Sequence, residues 1–155
     1  MCRRQMDIKA VESYLHQNIP VTRAMGITVS GFDDCSVTLH APLQPNLNHR
    51  HTAFGGSIAT LGILAGWSLL YIRLRQYPVM PRIVIQHSST DFIAATETGF
   101  SASCVVPSDK VWQRFIETLQ RKQRSRIRLV SEILANSGVV ARHTGDFVAI
   151  SAVDR

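Results

Sequence analysis

The chain has 155 residues, 45% of them hydrophobic and 18% charged, with a formal net charge of +6. That length fits one domain, spanning residues 1–155, with a sizeable core, and the composition excludes a disordered chain. Cys2, Cys35 and Cys104 form no CxxC pair, which excludes a disulfide framework and a zinc ribbon and points to a reducing, cytoplasmic compartment.

Met1-Cys2-Arg3-Arg4-Gln5 is not followed by an apolar run, so no secretory leader is expected. Asp7 to Gln17 reads as a short amphipathic helix: Ile8, Val11 and Leu15 share a face, Asp7 suits its cap and Pro20 ends it. Met25 to Gly31 and Cys35 to Ala41 are alternating runs joined by Phe32-Asp33-Asp34, a hairpin with Val37 and Leu39 on its apolar face. Pro42 and Pro45 then open a polar loop containing Asn46, Asn48, His49 and His51.

From Gly55 to Arg75 the chain reads as a nearly uncharged helix. A helix apolar all round is buried on all sides, by protein or by lipid. The stretch reaches the length of a membrane span. Yet it opens Gly-Gly-Ser, carries Thr60 and Ser68, and stands alone in a strand-patterned chain, so a buried core helix is the reading. Gly55, Ala59, Gly62 and Gly66 line one face at i, i+4, i+7 and i+11. Glycine inside a helix costs about 1 kcal/mol relative to alanine. Close approach of another backbone is the expected reason for the stripe.

Tyr77 to Pro81 is a break. Arg82 to Ala95 reads as a long strand or a bent pair, and Gly99 to Val106 as another. Pro107-Ser108-Asp109 starts an amphipathic helix with Val111, Trp112, Phe115, Ile116 and Leu119 on one face. Arg124, Arg126 and Arg128 alternate with apolar or small residues, a strand with one charged face. After the turn at Asn136-Ser137-Gly138, Val139 to Val153 is a final strand with a bulge expected at Gly145. The economical packing is α+β: a curved antiparallel sheet wrapped around the central helix, with open edges suited to pairing into a dimer.

These residues resemble a known pattern. The glycine pair at a central helix start resembles the signature of the hotdog fold. The fuller pattern, Asn48, Thr52 to Ser57 and then Gly66-Trp67, is similar to the thioesterase-like domain that forms the C-terminal part of YiiD-type acetyltransferases. Arg126, Arg128, Gly145, Phe147 and Val148 also correspond, and the likeness runs from about Leu15 onward. No acetyltransferase portion accompanies it, so a stand-alone version is expected.

The resemblance implies hydrolysis of acyl thioesters carried on coenzyme A or acyl carrier protein, by a homodimer or dimer of dimers, with no cofactor and no metal. A glycine pair at a helix start leaves N–H groups unpaired at the positive end of the dipole, where a thioester carbonyl gains an oxyanion hole. Gly56 is the expected donor, with Gly55 and Ser57 beside it. Substrate contacts are expected from His49, Thr52, Phe54 and Arg126, and an acyl channel from Phe54 and Trp67. Many relatives place a carboxylate on this helix two turns in, but Ser57 to Tyr71 contains neither Asp nor Glu. Asn48 and Asp91 are therefore the candidates for handling water, Asp91 if a dimer carries it to the pocket. The missing carboxylate also leaves a non-catalytic acyl-thioester binding module as the alternative. The basic run Arg121 to Arg128 suits coenzyme A phosphates or an acidic carrier; it lacks the interleaved aromatics of a nucleic-acid surface.

Overall fold

The computed structural model describes residues 6–78 and 80–151; Cys2, Val79 and the expected end of the last strand at Val153 lie outside them. Helix α1 (Ile8–Asn18) is capped by the Asp7 carboxylate, which accepts from Ala10 N–H at 2.7 Å, and a short turn of helix, α2 (Val21–Ala24), follows. Strands β1 (Thr28–Phe32) and β2 (Ser36–Ala41) make the hairpin. Asp33 holds its turn by accepting from the N–H groups of Cys35 and Ser36, bonds that keep its carboxyl below the usual carboxylate range. The long helix α3 (Gly55–Leu74) leads to β3 (Arg82–Phe92), β4 (Phe100–Val105), α4 (Asp109–Lys122), β5 (Arg124–Ala135) and β6 (Gly138–Ile150).

The six strands form one antiparallel sheet in the order β1-β2-β4-β5-β6-β3. Its inner face carries Val37, Leu39, Ala102, Cys104, Ile127, Leu129, Ile133 and Phe147, all buried against α3 or α4. On α4, Trp112, Phe115, Ile116 and Leu119 are buried as their spacing requires. Val111 is exposed: it lies a residue off the stripe, outside the narrow arc that touches the sheet.

Helix α3 departs from all-round burial. Twelve of its twenty residues are buried, but Gly56, Thr60, Ile63 and Trp67, at i, i+4, i+7 and i+11, form a stripe left partly open beside the edge strand β3. The glycine stripe also has a different purpose from the expected one. A Cβ on Gly62 would lie 2.6 Å from His143 Cβ, and one on Gly66 would lie 2.8 Å from the Phe147 ring. The helix is notched to seat two side chains of β6, not to meet a backbone.

Gly145, between those two rings, is a seat of the same kind: a Cβ there would meet both Phe147 and His143 within 2.9 Å. The bulge expected at Gly145 is absent. The ladder slips instead at Val140 in β6 and at Gln86 in β3. The Val140 carbonyl, freed by its slip, accepts from the N–H groups of Ile93 and Ala94.

Gly62→Ala is expected to lower stability by roughly 1–2 kcal/mol, because overpacking outweighs the gain in helix propensity. Gly31→Ala, with nothing within 4 Å of its added methyl, serves as the control in paired urea titrations.

Candidate functional site

The helix start is built by the loop before it. Pro45 and the turn Gln44–Asn46 bring Asn46 inside, only 2% exposed. Its amide donates to the carbonyls of Met25 (2.9 Å) and Pro42 (2.7 Å), and its own backbone carbonyl accepts from Phe54 N–H at 2.7 Å. Leu47 and Ala53 form an isolated bridge, and Ala53 N–H donates to Thr96 on the β3–β4 connection. Asn48 spends its side chain on the loop: Oδ1 accepts from the N–H groups of Arg50 and Thr52, and Nδ2 donates to Thr52 Oγ1 at 2.8 Å. His51 turns the chain through the left-handed region at φ 61°.

Phe54 then occupies the cap position without a side-chain capping bond. The first helical bond is Ile58 N–H to the Phe54 carbonyl, 3.0 Å. The N–H groups of Gly55, Gly56 and Ser57 have no acceptor among the described residues. They lie at the positive end of a 20-residue helix, partly open to solvent, with the Phe54 ring folded over Gly56. Unpaired N–H groups at the positive end of a helix are suited to an anion or a developing oxyanion.

The family described as "Putative thioesterase (yiiD_Cterm)" matches residues 8–151. The chain belongs to this family. Among solved structures, a protein of unknown function from Chlorobaculum tepidum superposes with a TM-score of 0.88 at 23% identity, covering 93% of this chain and 94% of that one. A protein described as "putative thioesterase" from Shewanella oneidensis gives 0.83 at 25% identity, covering 92% and 96%. A "Probable Thioesterase" from Pseudomonas aeruginosa gives 0.80 at 14% identity, covering 95% and 97%. The architecture is the hotdog fold, with β1–β6 as the wrap and α3 as the filling.

The thioesterase-family pattern converges on the helix start only in part. Asn48, Thr52, Phe54, Gly55, Gly56 and Ser57 come together there, whereas His49 and His51 are exposed on the loop. No cluster of metal-ligating side chains occurs among the described residues. Arg126 sits on the outer face of β5, in register with Val148 and, beyond it, Val84 near the start of β3. The helix start meets the other end of β3, where the Phe92 ring lies 3.4 Å from a Cβ placed on Gly55. Asp91 pairs in register with Arg142 and shares the outer face with it and Glu132, away from α3. Trp67 lies about 20 Å along the helix axis from Phe54. There it stacks on Tyr14 and Tyr71 and donates to the Ile83 carbonyl at 3.2 Å.

Two polar residues lie outside the motif. Asn46, already described, orders the loop. His143 is fully buried on the inner face of β6, its Nε2 2.8 Å from Ser88 Oγ and its Nδ1 without a partner. Burial alone holds the His143 ring below the ordinary histidine pKa. The sequence offers one signal for it: a histidine in a strand whose alternate positions, Ala141, Phe147 and Ala149, are apolar.

In the unfolded chain His143 takes up its proton near about 6.5, while the folded protein resists it to lower pH. The unfolded state therefore binds more protons below that value, and stability falls as pH drops from there. Urea midpoints measured from pH 7.5 down to 5 should show this decline, and His143→Gln should flatten it.

Proposed function

We propose that the chain hydrolyses acyl thioesters carried on coenzyme A or acyl carrier protein, with the carbonyl polarised by the backbone N–H groups at the start of α3. Family membership supports the reaction class. The observation that carries the site is the row of three unpaired N–H groups at Gly55, Gly56 and Ser57. A thioester carbonyl there exchanges weak solvation for fixed donors as charge builds on its oxygen.

The working form is proposed to be a cytoplasmic homodimer, or a dimer of dimers, paired through β3. That strand is a sheet edge with an unpaired ladder; apolar Phe92 and Ile93 lie exposed at the end that meets the helix start, where Phe54 is exposed too, and Val84 lies exposed near the other end. Apolar edges of this kind are covered in stable proteins. Helix α3 is long and apolar enough to span a membrane, but most of it is buried inside the fold. Its apolar surface already has a protein partner.

The second reading is a binding module that holds an acyl thioester without cleaving it, and the carboxylate-free α3 favours it. Within its own chain Asp91 faces away from the helix, and Asn48 keeps one amide hydrogen free of the loop. Neither is placed to take a proton at Gly56 of the same chain.

Free-thiol release from acyl-CoAs of graded chain length, corrected with a protein-only blank for Cys2, Cys35 and Cys104, should show turnover. Gly56→Pro removes one proposed donor at a first-turn position whose N–H has no intrahelical role, so the fold should survive. Its kcat should fall about 100-fold or more. Thermal stabilisation by acyl-CoA without turnover would favour the binding module instead. Phe92→Asp with Ile93→Asp should convert a sedimenting dimer to monomer; an unchanged dimer would place the interface elsewhere.

A further inference from the structure

Beside the partly open stripe of α3, the inner face of β3 carries one polar pair outside the family pattern. Ser88 is exposed on the edge strand, and its Oγ lies 2.8 Å from Nε2 of the fully buried His143. Two glycines make the space for that ring: a Cβ on Gly62 would lie 2.6 Å from His143 Cβ, and one on Gly145 would lie 2.9 Å from Cε1. A buried imidazole with one nitrogen unpaired is costly where an apolar side chain would pack freely. Such a cost, beside an exposed hydroxyl, marks a candidate for chemistry.

We propose that Ser88 and His143 are the proton-handling pair of this site, with Ser88 touching the attacking water and His143 acting through it. This rests on the thioester-hydrolysis reading above, and it supplies the base that α3 lacks. The water oxygen bonds to the carbonyl carbon while its proton passes to Ser88 Oγ and the Ser88 proton passes to His143 Nε2. The carbonyl π electrons move onto oxygen, held by the N–H groups at Gly55 and Gly56. Collapse breaks the C–S bond, and the departing sulfur takes the proton back from His143 through Ser88. The products are a carboxylic acid and a thiol, and His143 ends neutral as it began.

The surroundings fit a base that stays uncharged between turnovers. Facing His143 are Gly62 of α3, Ser131 of β5 (whose hydroxyl donates to the Gly62 carbonyl at 2.9 Å) and Ser88 of β3. The next titratable group along that inner row is Cys104 of β4, paired in register with Ser131 and pushed up to about 11 by burial, hence neutral. No carboxylate, lysine or arginine faces the ring among the described residues, and Ser88 is its one hydrogen-bond partner there.

One chain cannot bring this pair to its own oxyanion donors. Gly56 and Gly62 are six residues apart, about 9 Å along the helix, too far for one carbonyl to touch both ends. Antiparallel pairing of two β3 edges about an axis near Thr90 closes the gap. It sets Ser88 against the partner's Phe92 and so beside the partner's Gly55. The exposed apolar residues Phe54, Phe92 and Ile93 gather at that end of the strand, and the helix stripe there is small: Gly56, Ala59, Thr60.

Ser88→Ala and His143→Gln in the full-length protein test the pair, with kcat and KM for acyl-CoA measured from pH 5 to 9. Gln keeps an amide to bond Ser88 but cannot titrate, so a merely structural histidine would be rescued by it. Both variants should lose about 100-fold or more in kcat, with KM little changed. Both should also lose the acidic limb of the wild-type profile, which should fall below the ordinary histidine range. If His143→Gln fails to melt as a folded protein, the exposed Ser88→Ala decides alone. Wild-type kcat, or an unchanged acidic limb, in a folded variant overturns the pair while hydrolysis by the unaltered protein stands. Absence of hydrolysis by the unaltered protein overturns both readings.

Discussion

Everything else in the molecule depends on how closely α3 lies against β6. Gly62 and Gly66 remove two side chains from the helix where His143 and Phe147 rise from the strand, and Gly145 clears the space between those rings. Packed interiors have the density of organic crystals, so a methyl in any of these places must displace a neighbour. The seating fixes both the height of the helix above the sheet and its rotation about its own axis. Rotation in turn decides which stripe remains open along β3, and Gly56 falls on that stripe. The unpaired N–H groups at the helix start are therefore exposed by a packing decision made two turns away.

The glycines were legible in the sequence as a stripe, because helical period and the cost of glycine are local properties. Their occupants were not. Which side chain fills a notch is settled by a strand about eighty residues later, and nothing in the spacing of Gly62 and Gly66 names His143 or Phe147. The same division runs through the fold. Hairpin, helix starts and the period-2 pattern of β5 follow from neighbouring residues. Strand order and the partly open face of α3 depend on non-local pairing. Asn46 illustrates the limit at the site: a loop asparagine reads as a polar turn residue, yet here it is buried and accepts the last N–H before the helix.

The loop also explains why motif residues need not be reacting residues. Asn48 and Thr52 bond each other and the backbone between them, so their presence in the family pattern is accounted for by shaping the approach to Gly55. Three free N–H groups are useful only if the chain enters the helix at a fixed angle. The Asn46 carbonyl and the Thr96 carbonyl fix it by accepting from Phe54 and Ala53 in succession. Much of the signature is thus a scaffold for the three unpaired N–H groups, the proposed oxyanion hole.

The slip at Gln86 decides which side chains of β3 face the helix. Ile83 and Ile85 point inward, and strict alternation from them would carry His87, Ser89 and Asp91 to the inner face. One extra residue at Gln86 reverses the parity, since a one-residue shift moves every later side chain to the other side of a sheet. Ser88, Thr90 and Phe92 then take the inner face, and Asp91 joins Arg142 on the outer face. A carboxylate that the sequence offers to the site is turned out of it, and a serine with a buried histidine behind it is turned in. Bulges re-aim side chains in this way next to active sites, and this one changes the chemistry of the inner face from an exposed acid to a hydroxyl backed by imidazole. On the proposed reading, a hotdog domain whose central helix carries no carboxylate still presents a base, because His143 of β6 supplies it through Ser88 of the edge strand.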